Sequence, residues 1–477
     1  MYLFELLPCA DERLSKLEIL GVTCNSKKVE KDFAFVCIEG TGADGHNFAG
    51  DAVKSGASVI IAQRDLGLEN QIIVENTRKT YADMCAEWFG RPANKLRLIG
   101  VTGTNGKTSV TYMLKTILET AGYKVGLIGT IQNLIGETVI SSHNTTPEAY
   151  ELNSLFSRMA EEKCDYCVME VSSHALDQLR VSNLPFEVAI FTNLTQDHLD
   201  YHKTMENYLE AKKRLFSMCK RAVINIDDDY SNQMMLGLDC EIVTCSCGNN
   251  ATYSARSVKY KPDSVEYELL SGGKLEHIKV MTGGEFTVYN SMLSAVAALE
   301  AGIDIETVKK ALSQMHGVKG RAESVPTGKD FTVIIDYAHT PDGLKNILHT
   351  FSRCEKNRLV ALFGCGGDRD RTKRPIMGNI AVRNADYVIV TSDNPRSENP
   401  EKIIEDILEG TKGYNTPVKV IVNRIEAIKF AIKTALPGDI IVLAGKGHET
   451  YQILLDKTIH LDEREVINEA LKEIGGE

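Results

Sequence analysis

The sequence predicts an α/β protein of three domains, in which a mostly parallel central sheet carries helices on both faces. A chain of 477 residues, 43% of them hydrophobic, is longer than one ordinary domain and can bury more than one core. Apolar runs typical of buried strands alternate with helical segments. Two polar, Pro-containing connectors, "FGRPANKLR" and "ESVPTGKDF", interrupt this alternation. We therefore expect domains at residues 1–96, 97–324 and 325–477.

The first segment has short apolar runs separated by glycine-rich turns. The runs "FAFVCI" and "ASVIIAQ" have the length and composition of strands, whereas "EGTGADGHNF" is typical of a turn. This pattern predicts a small N-terminal α/β domain.

The central segment opens with a strand, a loop and a helix in succession. The run "LIGVTG" predicts a buried strand and leads through "GTNGKT" into a helix that should end at Gly122. Further strand-like runs, "KVGLIGT", "CVMEVSS", "VAIFTNL" and "RAVINI", predict a mostly parallel sheet of the P-loop type. From about residue 240 to 288 polar and apolar residues alternate, which predicts antiparallel strands added to this domain.

The last segment contains four more runs of the buried-strand type, "VIIDYAH", "LVALFG", "YVIVTSD" and "IIVLAG". Strands of this kind, separated by helical segments, predict a C-terminal Rossmann-like α/β domain.

Composition excludes several classes of protein. A net charge of -11 and a pI near 5.6 argue against a nucleic-acid-binding groove and against a polybasic membrane-binding segment. We find no secretory signal and no run of about 18 apolar residues, so a cytoplasmic protein without membrane insertion is expected. The twelve cysteines are scattered, which indicates reduced thiols. Cys164 and Cys167 have redox or zinc spacing, but no second pair stands at zinc-ribbon distance.

The loop "GTNGKT" is a shortened version of a phosphate-binding loop. The usual loop has a Gly, four intervening residues and then Gly-Lys-Ser/Thr, and Val101 occupies the place of that first Gly here. Backbone N–H groups from Gly103 to Lys107 would surround phosphate oxygens, Lys107 would pair with the terminal ones, and Thr108 would face Mg²⁺. An ordinary glycine-rich turn is the alternative, but the strand before the loop and the helix after it favour nucleotide binding.

Two further places have the residues of a metal or phosphate site. Glu170 ends a predicted strand, where ligands of parallel sheets bind, although local pairing is the alternative. His198 and His202 in "TNLTQDHLDYH" could be zinc ligands on one helix face. The metalloprotease pattern requires Glu where Leu199 stands, so Mg²⁺ beside ATP is favoured over zinc.

Motifs in a fixed order along nearly the whole chain resemble those of the Mur ligases of peptidoglycan synthesis. They are "GTNGKTS", "NTTPE", "MEVSSHALDQLRV", "FTNLTQDHLDYH", "YLEAKKRLF", "KGRAE", "DYAHTPDGL", "FGCGGDRDRTKRP", "SDNPRSENP" and "AGKGHETYQ". The shortened loop is similar to the one shared by Mur ligases and folylpolyglutamate synthases. The resemblance implies an ATP-dependent amide ligase with Mg²⁺, a monomer, which adds meso-2,6-diaminopimelate to UDP-N-acetylmuramoyl-L-alanyl-D-glutamate through an acyl phosphate.

The resemblance also implies which residues bind ATP and metal. Lys107, Lys212 and His198 would be catalytic, and Lys212 would be a carbamate, although its neighbour Lys213 offers the same chemistry and a solvated helix face is the alternative. Thr108, Glu170, His198 and the Lys212 carbamate would hold the metal. The implied ATP contacts are Gly103, Thr104, Asn105, Gly106, Lys107, Thr108, Ser109, Asn290, Arg321, Asp336 and His339.

The two other substrates have implied residues of their own. For the sugar nucleotide and its peptide they are Ser26, Gly45, His46, Thr145, Thr146, Ser172, Gln178 and Arg180. Where the family usually has Asp-Ser-Arg, this chain has Asn25-Ser26-Lys27, so a bidentate contact is lost there. For diaminopimelate they are Arg369, Asp393, Asn394, Pro395, Arg396, Gly445 and Glu449.

Arg396 decides between the closest alternatives. The guanidinium would pair with the far carboxylate of diaminopimelate and repel the far ammonium of lysine. Lysine-adding relatives usually lack this Arg, and folate polyglutamylation is opposed by "DNPR". Arg371, Lys373 and Arg374 of "RDRTKR" are interpreted as solvated surface. A P-loop nucleotide switch without ligase activity is the alternative of another class.

Overall fold

The computed structural model of the protein describes residues 1–40, 42–142, 144–261, 263–315 and 317–475. These residues form two compact units. The first comprises Met1–Thr252 and Leu293–Ile305, and the second comprises Tyr253–Met292 and Glu306–Glu477. The domain limits at residues 96 and 324 stay a prediction.

The N-terminal part of the first unit is built on a parallel sheet with the strand order β1-β2-β3-β4. Its strands are β1 (Gly21–Thr23), β2 (Phe33–Val36), β3 (Ala57–Ala62) and β4 (Gln71–Ile73). Its helices are α1 (Leu3–Leu6), α2 (Glu12–Ser15), α3 (Ala49–Lys54) and α4 (Thr77–Trp88), with 3₁₀ turns at Ser26–Lys28, Gly45–Phe48 and Pro92–Lys95. The small α/β fold expected for this segment is confirmed.

The rest of the first unit surrounds a larger sheet with the order β12-β11-β10-β5-β9-β6-β7-β8. Neighbours are parallel from β12 to β6, and β7 and β8 are antiparallel. The strands are β5 (Arg97–Thr102), β6 (Val125–Ile128), β7 (Asn133–Ile135), β8 (Thr138–Ile140), β9 (Tyr166–Glu170), β10 (Phe186–Phe191), β11 (Cys219–Asn225) and β12 (Glu241–Ser246). The helices are α5 (Lys107–Thr120), α6 (Ala149–Glu161), α7 (Ser173–Asp177), α8 (Leu199–His202), α9 (Met205–Lys213) and α10 (Ser231–Met235), with a 3₁₀ turn at Arg214–Met218.

The second unit contains an antiparallel meander and a second parallel sheet. In this sheet β16 is antiparallel to β17, and the order β17-β21-β18-β19-β20 is parallel. The strands are β13 (Tyr253–Tyr260), β14 (Val265–Ser271), β15 (Lys274–Val280), β16 (Glu323–Val325), β17 (Thr332–Asp336), β18 (Leu359–Phe363), β19 (Tyr387–Val390), β20 (Val418–Val420), β21 (Ile440–Ala444), β22 (Tyr451–Ile453) and β23 (Thr458–His460). The helices of this part of the chain are α11 (Glu285–Glu300), α12 (Ile305–Gln314), α13 (Pro341–Ser352), α14 (Lys373–Asn384), α15 (Pro400–Glu409), α16 (Arg424–Lys433) and α17 (Glu463–Gly475).

The succession of β5, loop and α5 agrees with the sequence. The predicted apolar stripe of α5 is buried at Val110, Met113, Leu114, Ile117 and Leu118. The helix stops at Thr120, and Gly122 has a left-handed φ of 92°. Apolar side chains of the central strands pack between the helices in one core, which includes Leu98, Met169 and Phe191. This packing holds the carboxyl ends of β5, β9 and β10 side by side.

Two details differ from the sequence-based expectation. The alternating stretch that begins near residue 240 is not wholly antiparallel, because β12 pairs in parallel with β11. The antiparallel part of this stretch is formed by β13, β14 and β15. The hairpin of β7 and β8 was not predicted, since its short strands lack a distinctive alternation. Among the described residues, no helix is long and apolar enough to cross a membrane.

Candidate active site

The loop after β5 is hydrogen-bonded to the segment that follows β10. Thr104 N donates to Asn193 O at 2.9 Å, and Asn105 N donates to the side-chain Oδ1 of Asn193 at 2.9 Å. The Thr192 hydroxyl donates to Asn105 O at 2.6 Å. Gly103 has φ 146°, and a Cβ there would overlap Thr192 Oγ1. The loop therefore has a defined shape that only glycine permits at its first position.

Two lysines reach the same carbonyl oxygen of this loop. Lys107 Nζ donates to Gly103 O and to Thr104 O, both at 2.9 Å. Lys212 Nζ, on α9, donates to Gly103 O at 2.8 Å and lies 4.5 Å from the centre of the Tyr208 ring. Lys212 is 1% exposed. Burial, and secondly the charge of Lys107, hold the pKa of Lys212 well below its usual range.

Burial distinguishes Lys212 from its neighbour. Lys213 is only partly buried, whereas Lys212 lies against the loop. The interpretation of Lys212 as part of a solvated helix face is therefore wrong.

Glu170 ends β9 on the same side of the sheet and is 1% exposed. Its two carboxylate oxygens accept hydrogen bonds from Thr130, one from the backbone N at 2.9 Å and one from the hydroxyl at 3.0 Å. The Thr130 hydroxyl also lies 3.0 Å from that of Thr145. Thr108, in the first turn of α5, is 5% exposed. Carboxylate and hydroxyl oxygens that could bind a metal ion thus line the edge of the sheet next to the loop. Thr130, which belongs to this group, was not identified from the sequence.

The five central residues implied for the sugar nucleotide and its peptide form one hydrogen-bonded group. The Thr146 hydroxyl donates to Glu170 O at 2.9 Å and accepts from Ser172 N at 3.0 Å. Arg180 donates to Thr146 O at 3.0 Å and to Gln178 Oε1 at 2.5 and 3.0 Å. Thr145 joins the group through Thr130. The structure therefore brings together side chains that are up to 35 positions apart in the sequence.

His198 lies at the start of α8 with a left-handed φ of 53°. Its ring is 4.8 Å from that of His174 and 6.2 Å from that of Tyr208, measured between ring centres. Burial lowers the pKa of His198 and of His174, so both imidazoles are neutral over a wider pH range than usual. His174 was not identified from the sequence.

His202, one of the two histidines of the zinc alternative, lies in a buried, hydrogen-bonded position. His202 is 5% exposed and its Nε2 is 2.9 Å from Ser173 Oγ, so this nitrogen already has a partner. Within the described ranges, no three His, Cys, Asp or Glu side chains are grouped as a metal site. The cysteines are all free thiols.

Ser26, Gly45 and His46 follow the adjacent strands β1 and β2. A Cβ on Gly45 would lie 2.6 Å from Ile38 N, so glycine is required. His46 is buried, and its Nε2 accepts from Gln63 N at 3.0 Å while Nδ1 lies 2.6 Å from Asp44 Oδ1. Because Nε2 accepts, Nδ1 carries the proton and donates to Asp44. Both ring nitrogens are used within the protein, which leaves a structural role for the side chain.

In the second unit, Arg321, Asp336 and His339 group around Tyr337. The Arg321 guanidinium lies 4.9 Å from the Tyr337 ring centre, and the His339 ring lies 4.7 Å from it. Both carboxylate oxygens of Asp336 accept backbone hydrogen bonds, from Ala322 at 2.7 Å and from Ala338 at 2.8 Å. Asn290 is a buried residue of α11. His448, 4.9 Å from the same tyrosine ring, belongs to this group and was missed.

The loops after β18 and β19 are joined at their bases. Gly367 N donates to Asn394 O at 2.9 Å, and Arg396 Nη1 donates to Gly367 O at 2.8 Å. The Ser397 hydroxyl donates to Asp368 at 2.6 Å. The two loops therefore form one assembly that contains five of the residues predicted to bind diaminopimelate, namely Arg369, Asp393, Asn394, Pro395 and Arg396. Within it Arg369 is exposed and Pro395 is buried.

The basic run "RDRTKR" is not uniformly solvated surface. Arg374 is 1% exposed and pairs with Glu398 at 2.8 Å and with Asp406 at 2.9 Å. Glu398 in turn accepts from Asp368 N at 2.6 Å. The solvated interpretation was wrong for Arg374, since this buried pair supports the base of both loops. Arg371 is exposed, as expected.

Gly445 and Glu449 follow β21 and lie beside the same assembly. A Cβ on Gly445 would be 2.6 Å from Asp393 Oδ2, so the missing side chain makes room for that carboxylate. Glu449 Oε2 accepts from Asn394 Nδ2 at 3.0 Å and pairs with Lys446 at 2.7 Å. All seven residues implied for the amino acid thus lie in one unit.

Three family models match this chain. Residues 101–298 match the Mur ligase middle domain, residues 320–447 the Mur ligase glutamate ligase domain, and residues 18–88 the catalytic domain of the Mur ligase family. The chain is 50% identical over 463 residues to UDP-N-acetylmuramoyl-L-alanyl-D-glutamate--2,6-diaminopimelate ligase 1 of Clostridium acetobutylicum, with 96% of both chains covered. This chain belongs to the Mur ligase family. The ligase of the same description from Clostridium botulinum is 48% identical, also over 96% of both chains.

Solved structures of Mur ligases have the same fold. A UDP-N-acetylmuramoyl-L-alanyl-D-glutamate--2,6-diaminopimelate ligase superposes with a TM-score of 0.77 at 32% identity, covering 100% of this chain and 99% of that one. MurF from Acinetobacter baumannii has a TM-score of 0.62 at 19% identity, covering 96% of this chain and 95% of that one, which shows a shared fold.

Proposed function

We propose that this chain is an ATP-dependent ligase that attaches meso-2,6-diaminopimelate to UDP-N-acetylmuramoyl-L-alanyl-D-glutamate. The observation that carries the proposal is the 50% identity, along 96% of both chains, to a ligase described by these two substrates. The phosphate-type loop with its two lysines supports the use of ATP. The clustered Thr146, Ser172 and Arg180 support a peptide-bearing, anionic acceptor substrate.

The chemistry explains why such a site needs positive charge. A carboxylate is a poor acyl donor, so the γ-phosphoryl group of ATP is first transferred to it, which releases ADP and forms an acyl phosphate. The amine of the amino acid then attacks the carbonyl carbon, phosphate leaves, and the amine loses a proton as the amide forms. The reacting carboxylate and the γ-phosphate are both anionic, and the Lys107 ammonium would offset their repulsion.

Mg²⁺ fits the donors at this edge of the sheet. The buried Glu170 carboxylate and the Thr108 hydroxyl supply hard oxygen ligands of the kind Mg²⁺ binds, and His198 would add a neutral nitrogen. The ion would neutralise charge on the phosphates. Glu170 is held for such a role by the two hydrogen bonds from Thr130.

Lys212 would serve as a carbamate. In the described part of the chain no carboxylate pairs with this buried ammonium, which is an unfavourable arrangement for a charged lysine. Its lowered pKa favours the neutral amine, which can take up CO₂ and release a proton to give an anionic oxygen ligand.

The carbamate leads to a rescue experiment. Lys212→Ala should abolish ligation, and formate or acetate should restore part of it, because their oxygens stand in for those of the carbamate. Lys213→Ala, which changes the partly buried neighbour, is the matched control and should retain activity. Full activity of untreated Lys212→Ala would refute the role.

The proposal is tested by phosphate release from the purified protein with ATP, Mg²⁺ and the sugar-nucleotide dipeptide. Parallel reactions contain meso-diaminopimelate, L-lysine or no amino acid, and mass spectrometry identifies the product. Release and tripeptide formation with diaminopimelate alone are expected. Preference for lysine would overturn the assignment of Arg396, and ATP hydrolysis independent of any amino acid would favour the nucleotide switch.

A further inference from the structure

Lys446 is a fully buried lysine beside the residues implied for diaminopimelate. It follows β21, and its exposed fraction is 0%. A buried ammonium is costly unless it is paired. Its Nζ donates to Glu449 Oε2 at 2.7 Å and to Asn394 Oδ1 at 2.9 Å. The charge of Lys446 is thus directed at two residues of the proposed amino-acid site.

These bonds determine how the Asn394 amide is oriented. Its Oδ1 accepts from two donors, Lys446 Nζ and the backbone N of Ile453, which is also 2.9 Å away. Only the oxygen can accept both bonds, so Nδ2 must face Glu449, to which it donates at 3.0 Å. Lys446, Asn394 and Glu449 form a closed triangle. One N–H of Asn394 and one oxygen of Glu449 take no part in it.

A buried polar layer holds the triangle in place. The Asp393 carboxylate accepts from Asn394 N at 2.6 Å and lies against Gly445. Arg424, 1% exposed, donates to Ala444 O at 2.9 Å and pairs with the fully buried Glu463. The backbone immediately before Lys446, at Ala444 and Gly445, therefore has little freedom to adjust when the Lys446 side chain changes.

We propose that Lys446 is a positioning and specificity-determining residue for the incoming amino acid. Its ammonium orients Asn394 and Glu449 so that the remaining N–H meets the carboxylate, and the remaining oxygen meets the ammonium, of a zwitterionic amino-acid centre. It also offsets the charge of Glu449, which otherwise favours a bare ammonium such as the far end of lysine. This inference rests on the proposed function and adds a determinant of substrate choice to it.

The first test is Lys446→Met, which keeps the length of the side chain without its charge. KM for diaminopimelate should rise about tenfold or more, whereas KM for ATP and for the sugar nucleotide should change less than about twofold, because only amino-acid binding is lost. The preference for diaminopimelate over L-lysine should fall. An unchanged KM for diaminopimelate, or an equal rise for all three substrates, would overturn the proposal.

Two further variants separate positioning from a loss of stability. Lys356→Met removes another lysine of this unit, which donates to Ser352 O and Cys354 O near the end of α13, and should leave every KM unchanged. Lys446→Met combined with Glu449→Gln removes both charges of the pair and avoids leaving the partly buried Glu449 carboxylate unpaired. If Lys446, Asn394 and Glu449 act as one group, adding Lys446→Met to Glu449→Gln raises KM for diaminopimelate by a smaller factor than Lys446→Met does in the wild type. An equal factor in the two backgrounds would contradict the coupling.

Failure of the inference is distinct from failure of the proposed function. If the wild-type protein makes no tripeptide with diaminopimelate, the proposed function fails and takes the inference with it. If the wild type makes the tripeptide and Lys446→Met keeps its KM and its preference, only the inference fails.

Discussion

Arg396 combines an unusual backbone with a directed side chain. Its φ of 52° lies in the left-handed region, and its Nη1 is anchored on Gly367 O. A Cβ on Gly366 would lie 3.0 Å from the same Nη1, so glycine makes room for the guanidinium. Left-handed backbone at a non-glycine residue is costly, and here two joined loops maintain it.

Arg396→Ala should therefore impair amino-acid binding specifically. We expect the loss of a charged hydrogen bond worth about 2–4 kcal/mol to appear as a higher KM for diaminopimelate in steady-state kinetics. Arg396→Lys keeps the charge without the bidentate fork, so its KM for diaminopimelate should lie between those of the wild type and Arg396→Ala. A KM equal to that of the wild type would remove Arg396 from the pocket.

His202 makes stability depend on pH. Burial, and next the neighbouring His174, lower its pKa to about 4 from an unfolded value near 6.5. Between these two pH values the unfolded chain binds the proton and the folded chain does not. The stability that the neutral His202 contributes is therefore fully present above pH 6.5 and is lost as the pH falls towards 4. The expected loss from pH 7.5 to 5.5 is about 1–2 kcal/mol, measured by urea unfolding.

His202→Gln provides the comparison for that prediction. Glutamine can still bond to Ser173 but does not titrate, so the variant should lose less stability between the two pH values. Parallel pH dependences of the wild type and the variant would assign the acid sensitivity to other groups.

At the level of elements, the loop between β5 and α5 depends on its first glycine. Gly103→Ala faces two penalties, a φ of 146° and overlap of the new Cβ with Thr192 Oγ1. Gly122→Ala, after the same helix, is the matched control, because its φ is 92° but no atom lies within 4 Å of its Cβ. In thermal unfolding, we expect the free energy of unfolding to fall by about 1 kcal/mol in the control and by about 2–4 kcal/mol in Gly103→Ala. Equal losses would show that the contact with Thr192 is unimportant.

Several elements could be predicted because their cause is local. The five apolar residues of α5 recur at helical spacing, and the runs that became β5, β9, β10 and β21 are buried on both faces. The parallel pairing of β12 with β11 could not be predicted, because a short alternating strand shows the same sequence pattern whether it pairs in parallel or antiparallel.

For the whole molecule, we expect a monomer. A net charge of -11 opposes self-association, and the resemblance to the family implies a single chain. Sedimentation velocity should give a mass near 52.7 kDa. A mass near twice that value, at a concentration of a few micromolar, would contradict the expectation.

The sequence by itself determined the α/β class, the shortened phosphate-binding loop and the order of motifs that marks a Mur ligase, because these depend on residues close together in the chain. The burial of individual side chains and their contacts with residues distant in the chain were decided by the tertiary structure alone. It separated Lys212 from Lys213, gave both ring nitrogens of His46 partners within the protein, buried Arg374 beneath two loops and directed Lys446 at Asn394 and Glu449. The chemical type of a side chain can be read from its letter, but its solvation and its partners are set by residues distant in the chain, as Lys446 and Asn394, 52 positions apart, illustrate.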